Sequence, residues 1–122
     1  MTNRKTIVYA DDTENIRELV GIYLKMHFPK YNREPHKSGL SLQKRLQEDT
    51  KDIALLFSDN TMPPGPRGVE LTKEYSRNDF PIILASGDLP EKEALEAGAS
   101  DYLSKPFDQQ EFLDAVKPFL KD

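Results

Sequence analysis

A chain of 122 residues predicts one domain built on a single hydrophobic core. Its 21 acidic and 17 basic residues leave a net charge of -4, which repels a polyanion and argues against DNA or RNA as a direct ligand. Cysteine is absent, which excludes disulfides, thiolate metal sites and cysteine nucleophiles, and no apolar run suits a signal peptide or a membrane span, so a cytoplasmic protein is expected.

In chain order, Ile7-Val8-Tyr9-Ala10 comes first, an aliphatic run whose near-continuous apolarity predicts a strand buried on both faces. Ile16, Leu19, Val20, Tyr23 and Leu24 then recur at helical spacing, giving an amphipathic helix. The polar stretch Asn32 to Lys37 contains Pro35, which lacks a ladder donor, so an edge strand is expected there. Leu42 and Leu46 share a face in a helix over 40–48, and Ile53-Ala54-Leu55-Leu56-Phe57 is the next buried strand. A proline-rich loop, Met62-Pro63-Pro64-Gly65-Pro66-Arg67-Gly68, should be stiff, and the helix after it, with Val69, Leu71 and Tyr75, has room for about two turns.

Pro81-Ile82-Ile83-Leu84-Ala85 predicts the fourth strand. Asp88-Leu89-Pro90-Glu91 reads as an N-cap with Glu at N3, opening a brief helix that runs to Ala97 and stops at Gly98. Tyr102-Leu103-Ser104 is a short fifth strand. Asp108-Gln109-Gln110-Glu111 forms a capping box with Phe107 and Phe112 as a hydrophobic staple, and the helix continues through Leu113, Val116, Phe119 and Leu120, with Pro118 expected to shorten or kink it.

Such alternation forces right-handed crossovers and helices on both faces of a parallel sheet, with the site beyond the carboxyl ends of the strands. Asp11 and Asp12 follow the first strand, Asp59 the third, Ser86 the fourth and Lys105 the fifth. Carboxylates brought together in this way repel one another unless a cation sits among them, and a hard dication such as Mg²⁺ fits an all-oxygen set that leaves positions for phosphate oxygens. A phosphoryl group is the implied guest: Asp59, alone on the central strand, is the expected nucleophile, and Lys105 and Ser86 are expected to stabilise the transferring group.

The motifs Ile7-Val8-Tyr9-Ala10-Asp11-Asp12, Asp59-Asn60-Thr61-Met62-Pro63 with Gly68, Ile82-Ile83-Leu84-Ala85-Ser86-Gly87, Gly98-Ala99-Ser100-Asp101-Tyr102-Leu103 and Lys105-Pro106-Phe107 resemble the receiver domain of two-component response regulators over nearly the whole chain. The resemblance implies a flavodoxin-like, doubly wound five-stranded parallel sheet in the order 2-1-3-4-5. It implies that Asp59 accepts a phosphoryl group from a histidine kinase or a histidine phosphotransfer protein. It further implies that Asp12, Asp59 and the Thr61 backbone carbonyl bind Mg²⁺, that Asp11 acts through water, and that Lys105 bonds the phosphoryl group. By the same resemblance Ser86 and Tyr102 are the switch positions, the Lys105–Pro106 peptide is cis, and the face of the fourth helix, fifth strand and fifth helix docks a downstream protein.

The expectation is therefore a stand-alone receiver spanning 1–122, with no output domain and no enzymatic turnover beyond its own phosphorylation and dephosphorylation. Three other readings compete with it: a degenerate receiver that only binds partners, a receiver excised from a hybrid kinase, and a phosphatase of the haloacid dehalogenase type. The last needs an Asp-x-Asp arrangement after the first strand, whereas Asp11 and Asp12 are adjacent. Thr61 and Asp88, each two residues past a reactive position, are expected to tune phosphoryl lifetime, and the isolated His27 and His36 are assigned no role.

Overall fold

Strands that are apolar on both faces need cover on both, and that need sets the architecture. The computed structural model describes residues 4–77 and 79–121. Strand and helix alternate as β1 (Thr6–Ala10), α1 (Glu14–His27), β2 (Asn32–His36), α2 (Gly39–Leu46), β3 (Ile53–Asp59), α3 (Gly68–Tyr75), β4 (Ile82–Ser86), α4 (Glu91–Glu96), β5 (Asp101–Ser104) and α5 (Gln109–Val116). The strands pair in parallel in the order β2-β1-β3-β4-β5, as the resemblance implied.

Alternate residues of each strand feed opposite layers. Ile7, Tyr9, Leu55, Phe57, Ile83 and Ala85 pack with Val20 and Leu24 of α1 and with Phe112 and Val116 of α5. Phe112 is fully buried among the rings of Tyr23, Phe57 and Phe107, with centroids 5.0–6.0 Å away. On the other face Val8, Ala10, Leu56 and Ile82 meet Leu42 and Leu46 of α2 and Leu71 of α3, while Leu84 packs with Val69, Leu89 and Ala94. Each large side chain buried this way contributes about 1.5–3 kcal/mol.

The local signals mostly act as expected. Asp108 accepts the Glu111 N–H at 2.8 Å while the Glu111 carboxylate accepts the Asp108 N–H at 3.0 Å, so α5 opens on a reciprocal cap. Pro118 ends that helix at Val116 and the chain tightens into a 3-10 turn over Lys117–Phe119. β2 pairs only with β1, an edge position that tolerates Pro35. Gly98 stops α4 with φ +106.

Three expectations are corrected. The second helix runs over Gly39–Leu46 instead of 40–48, because Ser38 is its N-cap and accepts the Ser41 N–H at 3.1 Å. α4 begins at Glu91 behind Pro90, and Asp88 does not cap it; its carboxylate instead takes the Ser86 hydroxyl. Leu19 has the helical spacing of a core residue but is 41% exposed, as α1 buries only Val20 and Leu24 fully.

Candidate functional site

The site is built where β1, β3, β4 and β5 end. Asp59 is the last residue of β3 and lies in register with Ala85, so Ser86 stands one step beyond it on the neighbouring strand. Ser104 is in register with Ser86, so Lys105 leaves β5 at the same rim. The Lys105–Pro106 peptide is cis, as the resemblance implied.

Asp59 and its neighbour Asn60 are both held in place. Its Oδ1 accepts the Asn60 N–H at 2.7 Å, and the buried Asn60 side chain accepts the Val69 N–H at 2.9 Å, tying the strand end to the start of α3. Gly68 makes that approach possible: a Cβ there would lie 2.3 Å from the Asp59 carbonyl oxygen. The proline-rich loop is bonded down on the other side, where Gly39 and Leu40 of α2 donate their N–H groups to the Met62 and Pro64 carbonyls at 2.7 and 2.9 Å.

Asp11, Asp12 and Asp59 each offer an oxygen, and these atoms lie within 4.8 Å of one another. Asp11 and Asp59 are buried and Asp12 is exposed. The Lys105 ammonium lies among them, 2.7 Å from Asp11 Oδ2 and 3.2 Å from Asp59 Oδ2. Asp11 Oδ1 accepts the Thr13 N–H at 2.8 Å, and Arg17 donates to the Asp11 carbonyl at 2.8 Å, which orients the loop after β1.

The ammonium is shared unequally, and burial acts on both groups. Burial pushes the Asp59 carboxyl above its usual value; Lys105 pulls it down, Asp11 pushes it up again, and burial prevails. Burial also works to lower Lys105, but its hydrogen bond to Asp11 and the charges of Asp11 and Asp59 outweigh that and hold it above its ordinary value. A simple ion pair would lower the carboxyl as it raised the amine. Asp59 rises instead because burial, helped by the neighbouring Asp11 charge, outweighs the pull of Lys105 at 3.2 Å.

The remaining expected positions are less directly engaged. Ser86 is buried, but its hydroxyl is turned to Asp88, 2.8 Å away. Tyr102 is half-buried beside Val69, Leu84 and Leu89, with its hydroxyl donating to the Leu89 carbonyl at 2.6 Å. Thr61 is exposed at the start of the loop after Asp59. His36 hydrogen-bonds Ser41 and Glu34, and His27 meets Gln109; neither touches the acidic rim. A surface hollow of about 760 Å³ lies at the opposite end of the sheet around Arg4, Lys5, Arg45 and Lys51, where Arg45 is already engaged by Glu34 and Asp52.

Sequence reasoning missed two features beside the site. Asn60 anchors α3 to the strand end, a role that a lone polar residue does not advertise. Leu19, Ile22 and Met26 form an exposed apolar stripe on α1, 41–64% accessible, legible as a second helical row in the sequence. The stripe continues into a groove of about 290 Å³ lined by Ile16, Leu19, Lys105, Pro106 and Phe107.

Fold and rim together define a doubly wound α/β domain with an acidic, lysine-crossed cluster at the carboxyl ends of its strands. The family model for the response regulator receiver domain matches residues 7–117, and the chain belongs to that family. It is 32% identical over 124 residues to the phosphate regulon transcriptional regulatory protein PhoB of Pseudomonas aeruginosa, covering 96% of this chain and 52% of that protein. The transcriptional regulatory protein ResD of Bacillus subtilis is 31% identical, with 98% of this chain and 50% of that protein covered. The chain thus spans about half the length of the curated relatives it matches. Among solved structures, the chemotaxis response regulator CheY4 of Vibrio cholerae superposes with a TM-score of 0.80 at 22% identity, covering 97% of this chain and 100% of that one. A putative response regulator from Chloroflexus aurantiacus gives 0.79 at 25% identity, covering 96% and 98%. Among the described residues no helix is long and apolar enough to cross a membrane.

Proposed function

We propose that this receiver accepts a phosphoryl group on Asp59 from a histidine kinase or histidine phosphotransfer protein, in a Mg²⁺-dependent reaction, and passes the signal on through a protein-docking surface. The observation that carries the reading is the Lys105 ammonium held between the buried carboxylates of Asp11 and Asp59. Hard oxygen donors this close suit Mg²⁺, with Asp11, Asp12, Asp59 and the Thr61 carbonyl as the groups that would hold it. When bound, the dication supplies neutralising charge for phosphoryl oxygens.

In the transfer, a carboxylate oxygen of Asp59 forms a bond to phosphorus as the bond from phosphorus to the donor's imidazole nitrogen breaks. Asp59 suits this role because burial raises its carboxyl above the ordinary value, which makes it more basic than an exposed aspartate. Lys105 is close enough to donate to an oxygen of the arriving group, offsetting the added negative charge. Ser86, one step beyond Asp59, and Tyr102 on β5 are the switch pair, and Lys105 and Ser86 act only in the domain's own phosphorylation and dephosphorylation. The exposed row Leu19, Ile22 and Met26 and the adjoining groove run up to Lys105, which suits a helical donor laid along α1. Output is assigned to the α4-β5-α5 face, on which Leu95 is exposed.

A binding module without chemistry would have no need of Asp59, Lys105 and Ser86 together, so that alternative is weaker; a receiver excised from a hybrid kinase would share the same chemistry. The test is incubation with acetyl phosphate, with and without Mg²⁺, followed by intact mass. A single phosphoryl adduct is expected with Mg²⁺ and is lost in Asp59→Asn. An adduct that forms without Mg²⁺ or survives in Asp59→Asn overturns the mechanism.

A further inference from the structure

Ser86 ends β4 with its backbone tightly held. Its carbonyl accepts the Lys105 N–H at 2.9 Å, and the Tyr102 hydroxyl lies 3.1 Å from the same oxygen. What remains free to turn is the side chain. A serine hydroxyl has one proton and two lone pairs, and here all three are in use. The Ser86 hydroxyl donates to Asp88 Oδ1 at 2.8 Å and accepts the N–H groups of Asp88 and Leu89 at 3.2 and 2.9 Å.

The loop that makes these contacts is itself held. The Tyr102 hydroxyl donates to the Leu89 carbonyl at 2.6 Å, and Leu89 is buried against Val69 and Ala94. Ser86, Asp88, Leu89 and Tyr102 therefore form one closed hydrogen-bonded arrangement, in which the only proton the switch hydroxyl has is directed to a carboxylate. A carboxylate is a strong acceptor, and a phosphoryl oxygen would be its direct competitor.

We propose that Asp88 is a positioning residue that opposes the switch: its carboxylate holds the Ser86 hydroxyl proton, and a phosphoryl group on Asp59 must win that proton to engage Ser86. The inference rests on the phosphoacceptor reading of Asp59. Asp88 is exposed, so replacing it leaves no cavity, and what loses its acceptor is the buried Ser86 hydroxyl proton itself. The brake would set how readily the phosphorylated state is reached, and Asp88 acts on it only through Ser86.

Beryllofluoride with Mg²⁺ serves as the phosphoryl mimic, and its affinity is read from amide shifts of ¹⁵N-labelled protein. Asp88→Ala should bind it about tenfold more tightly, the order expected for losing one competing hydrogen bond to a charged group, and Asp88→Asn should fall between Asp88→Ala and wild type. In a Ser86→Ala background, Asp88→Ala should change nothing, since no hydroxyl is left to release. That comparison separates competition for the proton from simple repulsion between Asp88 and the anion, or from a loosened loop, both of which would persist without Ser86. Equal affinity of Asp88→Ala and wild type overturns the brake, as does a gain that survives in the Ser86→Ala background. Failure of wild type to bind the mimic at all, in the presence of Mg²⁺, overturns the phosphoacceptor reading itself and the brake with it.

Discussion

Replacing Asp59 by Asn should stabilise the metal-free domain even though it removes the proposed acceptor. The structure gives the terms. At an effective dielectric of about 20, Lys105 at 3.2 Å attracts the Asp59 charge by about 5 kcal/mol, and Asp11, with its oxygen within 4.8 Å, repels it by about 3.5 kcal/mol or more. The small surplus of attraction is set against the burial of an ion, which costs several kcal/mol, so the ionised Asp59 is a net liability. Asparagine keeps the Oδ1 that accepts the Asn60 N–H, and Lys105 keeps its shorter contact with Asp11. A gain of about 1–2 kcal/mol is expected at neutral pH, or roughly 3–10 °C in Tm.

The pH dependence follows from the sign of the Asp59 shift. A carboxyl whose folded-state pKa is raised favours the folded state when protonated, so its penalty is absent below the unfolded pKa and grows as pH rises through the folded value. The advantage of Asp59→Asn should therefore be full at pH 7 and vanish in acid. Thermal unfolding followed by circular dichroism, in chelator at the two pH values, measures it. Added Mg²⁺ should raise the Tm of wild type more than that of the variant. Loss of stability in Asp59→Asn at pH 7, or a gain unchanged in acid, would refute the electrostatic account of the rim.

Gly68→Ala places a methyl group against the Asp59 carbonyl oxygen, a contact of backbone with backbone that no side-chain rotation relieves, so urea unfolding should show a loss of about 2–4 kcal/mol; a wild-type midpoint would contradict the close packing of α3 on the strand end. Phe112→Ala empties a fully buried space between three rings and should cost about 3–5 kcal/mol by the same measurement. At Asp52 burial works against the carboxylate, but its hydrogen bonds to Arg45 and Thr6 outweigh that and depress its folded pKa. Its contribution is therefore present above the unfolded carboxylate pKa and lost as pH falls through the folded value. Asp52 is nearly half exposed, so Asp52→Asn should cost no more than about 1 kcal/mol at pH 7 and nothing in strong acid, read from unfolding curves at the two pH values.

Much of this protein is legible in its sequence. Apolar runs at Ile7, Ile53 and Ile82, with amphipathic stretches between them, specify a parallel α/β sheet because burial on both faces demands helices on both. The local chemistry of Asp108 and Glu111, of Pro118 and of Pro35 acts over a few residues, and so its outcomes follow from sequence spacing alone. Placement of Asp11, Asp59, Ser86 and Lys105 at strand ends needs only the knowledge of where strands stop, because the fold brings strand ends together.

What tertiary structure alone decided is how those groups share partners. Burial at the end of β3 is what opposes the ionisation of Asp59, and Lys105, 2.7 Å from Asp11 and 3.2 Å from Asp59, does not offset it; both depend on packing between residues far apart in sequence. Asp88 reads locally as a helix cap, yet α4 begins only at Glu91, behind Pro90, which leaves the Asp88 carboxylate to Ser86. Leu19 has the spacing of a core residue and is exposed, because α1 covers the sheet with a narrower face than its apolar pattern offers. Sequence determines which groups arrive at the rim through short-range rules of periodicity and capping. Which proton and which charge each group claims there is settled by packing between distant elements, since hydrogen bonds and ion pairs depend steeply on geometry that no local pattern encodes.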